Sequence, residues 1–128
     1  MNEKLERTLL SKFPEIFNIK ESDPDDYLWG IDCGDGWAPL IAAMCRQLQF
    51  RVDATARPQI VATEIKHKMG ILRCTFSGAD DYCNGVIDTA VAMSYVTCEL
   101  CGNKGVMARG PKGWVRVLCD QCRLDNPG

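Results

Sequence analysis

The chain has 128 residues, 46% of them hydrophobic and 25% charged, a composition that excludes a disordered protein and predicts one folded domain with a modest core. No apolar run nears the roughly 18–20 residues of a membrane span and there is no lipidation motif, so no membrane partner is expected. The net charge of −2 is unevenly spread: residues 1–37 carry four basic and nine acidic side chains, residues 38–78 six and two, residues 79–97 three acidic ones, and residues 98–128 five and three. An anionic partner is expected at the basic middle, whereas the small excess of the last segment is not a strong signal of nucleic acid.

Along residues 2–12, Leu5, Leu9 and Leu10 recur on one side with Glu3, Lys4, Glu6 and Arg7 opposite, which predicts an amphipathic helix ended by Pro14. Pro14–Phe17 reads as one further turn, and Glu21–Asp26 as an acidic surface loop. Tyr27–Trp37 is a built corner, in which Gly30, Gly34 and Gly36 permit close backbone approach and Trp29 and Trp37 supply large surfaces. Pro39 must lie in a first helical turn, so a helix over Ala38–Phe50 points its free amides back at Cys33–Asp35. Two readings follow. Asp32 or Asp35 caps that helix, or a ligand's phosphate or carboxylate uses those amides beside Gly34 and Gly36 while Trp29 or Trp37 stacks on a base.

From Pro58 the period drops to two. A hairpin turning at Met69-Gly70 pairs His67 with Leu72, Ile65 with Cys74 and Thr63 with Phe76, placing these six on one apolar face. On the other face Lys66 falls beside Arg73, with Lys68 and Glu64 close by; either Glu64 neutralises the pair or a bound anion does. Asp80 or Asp81 then opens a helix with Cys83, Val86, Ile87, Ala90 and Ser94 on one narrow face, interrupted by Gly85.

Eight cysteines are present, and four of them form Cys98-Glu-Leu-Cys101 and Cys119-Asp-Gln-Cys122, separated by seventeen residues. That spacing points to a closed four-thiolate structural zinc site, because a catalytic zinc keeps a position for water. Disulfides, a redox pair or iron ligation use the same residue type. A chain with no signal segment is expected in the reducing cytoplasm, which disfavours the disulfides. Two short strands around Gly110–Gly113 complete a ribbon, with Trp114 and Val115 packed on the body and a loose tail after Arg123. Cys45, Cys74 and Cys83 read as small buried hydrophobes. The fold expected is a small α+β domain of about three helices and a hairpin over residues 1–97, with the ribbon over 98–128 packed upon it.

Trp29-Gly-Ile-Asp-Cys-Gly-Asp-Gly-Trp37, Ile65–Arg73 and the final Cys-x-x-Cys together resemble a family of small, largely uncharacterised bacteriophage and prophage proteins. The resemblance implies an accessory viral protein of the host-cell cytoplasm that acts on host defence by binding, and no established activity. Three functions remain open. The first is sequestration of an anionic, nucleotide-like ligand by Trp29, Gly34, Gly36, Trp37, Lys66, Lys68 and Arg73. The second is a zinc-ribbon adaptor that meets nucleic acid or a host protein through Lys104, Arg109, Lys112, Trp114 and Arg116. The third is an enzyme with Cys33 as nucleophile, His67 as base and Asp32 or Asp35 as orienter, although His67 belongs to the apolar hairpin face and reads as a core histidine.

Overall fold

A computed structural model describes residues 1–128. Four helices, α1 (Glu3–Lys12), α2 (Ala38–Thr55), α3 (Asp81–Ser94) and α4 (Asp120–Asp125), alternate with two antiparallel hairpins, β1 (Val61–Lys68) with β2 (Ile71–Ser77) and β3 (Val106–Arg109) with β4 (Val115–Leu118). The architecture is the α+β one, with a cysteine cluster gathered at its C-terminal end.

Helix α1 starts because the Asn2 side chain accepts the Leu5 amide hydrogen at 2.8 Å, and it buries Leu9 and Leu10. Glu6 departs from the helical pattern. It is buried, and its carboxylate accepts the amides of Gly30 at 3.1 Å and Ile31 at 2.7 Å, tying α1 to the glycine corner. Amphipathic spacing assigns a glutamate to solvent unless distant backbone donors need it.

Helix α2 runs five residues beyond Phe50, since Val52 continues the buried stripe of Ile41, Met44, Cys45 and Leu48; it stops where Ala56 turns left-handed (φ 53°) just before Pro58. Asp80 caps α3 by accepting the Cys83 amide at 2.9 Å, and Arg51 (3.2 Å) and Arg57 also reach its carboxylate. The Cys83 hydrogen bonds come first in holding Asp80 far below the usual carboxylate range, with the two guanidiniums adding to them. Ser94 closes the far end of α3 on the sheet, accepting from the Leu72 amide at 3.0 Å and donating to the Val91 carbonyl at 2.6 Å.

The first hairpin has the expected register near its turn, with His67 opposite Leu72, Lys66 opposite Arg73 and Ile65 opposite Cys74. At Thr63 a bulge intervenes: Ala62, not Thr63, lies opposite Phe76. The extra residue turns Ala62 inward beside the buried Ile65 and Leu72, while Thr63 faces solvent and bonds Thr75 through its hydroxyl at 2.7 Å. His67 is corrected too. Its side chain is 46% exposed, so it is no core histidine. The principal core collects Trp37, Ile41, Leu48, Ile60, Ile65 and Leu72, with Phe17 meeting Trp29 edge-on at 5.3 Å between centroids.

The second hairpin pairs Val106 with Leu118 and Arg109 with Val115. Trp114 does not pack on the body as its size suggests; it is 64% exposed, and Val115, lying against Gly70 at the tip of the first hairpin, makes that contact instead. The residues after Arg123 are also placed, within α4 and then along the β3–β4 turn, where the Gly128 carbonyl accepts the Lys112 amide at 2.7 Å.

Candidate metal centre and the corner it closes

The first knuckle is a tight turn in which the Cys98 amide donates to the Asn103 carbonyl at 2.7 Å and the Gly102 amide, from a positive-φ glycine, donates to the Cys98 carbonyl at 2.9 Å. The second is the start of α4, where Cys119 Sγ accepts the Cys122 amide at 3.4 Å. These two turns bring the sulfurs of Cys98, Cys101, Cys119 and Cys122 within 4.8 Å of one another, a set that could hold a metal ion. Cys101 and Cys119 Sγ stand 3.6 Å apart. That is too long for a disulfide, and it matches the edge of about 3.8 Å expected when four sulfurs surround an ion at roughly 2.3 Å.

Charge supports the same use. Burial disfavours the Cys98 thiolate, yet backbone hydrogen bonds from Cys119, Cys101 and Leu100 outweigh it and bring the thiol down to about 6. Cys122 is pushed up instead, first by its hydrogen bond with Cys119. Cys98 forms its thiolate readily while Cys101 and Cys122 resist; a cation at the centre would remove the conflict. Four cysteine sulfurs would leave an ion of tetrahedral preference no open position for water.

The knuckle also explains the glycine corner. Glu99, between the two cysteines of the first pair, is buried; its Oε2 accepts the Gly34 amide at 2.9 Å and its main-chain oxygen accepts the Gly36 amide at 2.7 Å. A Cβ on Gly34 would collide with the Glu99 carbonyl, and one on Gly36 would meet the Cys98 carbonyl and lie 2.5 Å from the Gly102 nitrogen. Both glycines are therefore spent on bringing the knuckle against the start of α2. Trp37 is fully buried and donates its indole N–H to the Thr97 carbonyl at 2.9 Å. Asp35 does not cap α2; its carboxylate accepts the Asn2 amide at 2.7 Å and the Asn2 side-chain NH₂ at 2.9 Å.

The seven expected ligand residues are thus not brought to one site. Gly34, Gly36 and Trp37 serve the knuckle. Trp29 and Lys66 share a cleft with Tyr27, Asp32 and Glu64, whose two carboxylates give it the wrong charge for an anion. Lys66 (3.6 Å) and Arg73 (3.5 Å) are both paired with Glu64, as the neutralised reading of the ladder requires, and Lys68 is exposed at the far end of β1. Asp32 joins the sheet edge through its backbone, donating to the Ile65 carbonyl at 3.0 Å and accepting the His67 amide at 2.9 Å. Cys33 is buried, and burial first, with the Glu99 carboxylate adding to it, pushes its thiol up to about 12, opposite to what a nucleophile needs. His67 Nδ1 faces Glu99 Oε2 at 4.0 Å.

On the far side of the ribbon, Arg109, Arg116, Arg123 and Trp114 line a cleft of about 240 Å³ with no Asp or Glu side chain in its wall. Arg109 donates to the Gly113 carbonyl at 2.7 Å and Arg123 to the Val106 carbonyl at 2.7 Å, so both guanidiniums are fixed by neutral partners and keep donors free. None of the chain's ion pairs involves them. Lys104 and Lys112 lie outside this wall, while Arg123, which the spacing of the basic residues did not single out, belongs to it. Comparison of the chain with protein-family models, curated proteins and solved structures finds no match to any of them.

Proposed function

We propose that the protein is a non-enzymatic accessory binding module in which a structural zinc, held by Cys98, Cys101, Cys119 and Cys122, braces a ribbon that contacts nucleic acid. The observation that carries this reading is the cleft of Arg109, Arg116 and Arg123 around the exposed Trp114, basic and without a carboxylate side chain. Guanidiniums held by carbonyls keep their charge available and present their donors in a fixed fork suited to phosphate. Zinc is the ion that the Cys-x-x-Cys pairs at ribbon spacing support, their four sulfurs lying within 4.8 Å of one another. The alternative of a sequestered nucleotide has less support, since the Glu99 carboxylate fills the amide site it would use. A reducing host cytoplasm, as the phage resemblance implies, would keep the four clustered thiols free for this role.

The test is binding of labelled DNA and RNA oligonucleotides by the metal-loaded protein across a salt series. Affinity should fall as salt rises, since each neutralised phosphate releases counterions. Absence of binding at low salt for every oligonucleotide would remove nucleic acid as the partner.

A further inference from the structure

Resting on that reading, we infer that the ribbon cleft takes single-stranded nucleic acid, with one unstacked base lying on the Trp114 indole and the adjoining phosphates on Arg116, Arg109 and Arg123. A duplex offers these residues its phosphates but keeps its bases stacked, so an aromatic face has nothing to receive from it. Trp114 is the chain's only tryptophan with most of its surface in solvent: Trp37 is fully buried and Trp29 packs edge-on against Phe17. Trp114, directly before β4 and with Gly128 beside one edge of its indole, keeps 64% of its surface in solvent among arginines that no Asp or Glu side chain pairs.

Size decides between a whole ligand and part of one. The cleft, about 240 Å³, falls below the roughly 300–1,000 Å³ of pockets that enclose a complete small molecule. It suits one base and its neighbouring phosphate on a strand that continues past the ribbon on both sides. The guanidiniums fit this role by geometry: Arg123 is held by the Val106 carbonyl and lies within 3.4 Å of the Arg116 carbonyl, which keeps it beside the arginine that shares the cleft. No Asp or Glu side chain lies in the wall, Glu99 being turned into the body; the main chain of Gly128 does line it, and no arginine of the cleft is paired with it.

The experiment uses the full metal-loaded chain, a fluorescein-labelled single strand of mixed sequence, in DNA and RNA forms, and the duplex of the same sequence, with tryptophan emission recorded alongside anisotropy. The single strand should bind about tenfold or more tighter than the duplex and quench Trp114 emission. Trp114→Ala should weaken single-strand binding about tenfold or more, Trp114→Phe should keep most of it, and Arg116→Ala should reduce the salt slope by about 0.7. Thermal midpoint and metal content of each variant identify any that fails to fold, and Trp114→Phe serves as the folded control. Equal or tighter duplex binding, or a Trp114→Ala protein that binds the single strand unchanged, overturns the inference and leaves the ribbon as a phosphate-binding face. Binding of neither form at low salt removes that face as well.

Discussion

Glu99 reaches back into the Gly34 amide: its carboxylate oxygen lies 2.9 Å from that nitrogen, while its own carbonyl takes the Gly36 amide at 2.7 Å. One residue between two cysteines of the cluster therefore satisfies two backbone donors at the 3₁₀ turn Asp35–Trp37 that leads into α2, the longest helix of the fold. The physical chemistry that makes a helix entrance attractive to phosphate is the same, but here the anion is internal. Cysteine cluster and glycine corner form one unit, in which ordering the knuckle also orders the turn that leads into α2.

Substituting Glu99 measures that unit directly. In Glu99→Ala the Gly34 N–H stays under the knuckle without its acceptor, a loss of about 1–3 kcal/mol in denaturant unfolding. Glu99→Gln keeps an oxygen in reach and should recover part of the loss. If the alanine variant unfolds at the wild-type midpoint, the carboxylate is ornamental to the corner.

Two glycines should respond in opposite directions to the same change. Gly36→Ala sets a methyl against the Cys98 carbonyl and the Gly102 and Glu99 main chain, none of which can swing aside, so it should cost about 1–3 kcal/mol or more and loosen metal retention. Gly85, in the interior of α3, has nothing within 4 Å of the added carbon. Gly85→Ala should stabilise by about 0.5–1 kcal/mol through helix propensity alone. Thermal melting of the two variants side by side reads both signs.

What the sequence makes legible follows from how local the cause is. Spacing within one element locates α1, the turn of the first hairpin and the four thiols, because period, proline and Cys-x-x-Cys each act over a few residues. Glu6 and Glu99 defeat that reading, as their partners lie 25 and 65 residues away and no pattern marks a glutamate that goes inward. The bulge at Thr63 is hidden for a related reason: alternation in β1 is equally regular with or without the extra residue, and only the inward demand of Ala62 under the core decides. Arg123 is separated in sequence from Arg109 and Arg116, and the fold of α4 onto β4 is what makes them neighbours. Trp114 shows the converse failure, since size alone assigns it to a core.

Alkaline pH should destabilise the protein in a defined window. Burial pushes the thiols of Cys33, Cys45 and Cys74 up to about 12 from an ordinary 9.0, so below pH 9 folded and unfolded chains are both protonated there. Between about pH 9 and pH 12 the unfolded chain ionises first, and stability falls as pH rises. Cys45→Ala, at a fully buried position, removes one such group and should flatten the fall between pH 9 and pH 11, although its own cavity lowers stability at pH 7. Midpoints of urea unfolding at the two pH values separate the effects; an unchanged slope with pH would mean that Cys45 does not titrate on unfolding.

Removal of the metal should act on two places at once. A chelator, or Cys101→Ser, would take away an ion held by the four cysteines, and the knuckles should then lose the geometry that sets Glu99 against Gly34. Limited proteolysis should then cut between residues 98 and 128 while α1, α2 and α3, with their own core, stay protected. The amide resonances of Gly34 and Gly36 should move although neither residue touches the ion, and Trp37 should lose its bond to the Thr97 carbonyl. Acid should mimic the chelator, because thiolates must be deprotonated to bind and falling pH sets protons in competition with the metal. At free metal about a thousand times its dissociation constant the loaded form gains about 4 kcal/mol over the stripped one. Mass spectrometry under native conditions fixes the stoichiometry, expected at one ion per chain. Proteolysis confined to the ribbon with the Gly34 and Gly36 resonances unmoved would separate the two sites, and the coupling through Glu99 would have to be given up.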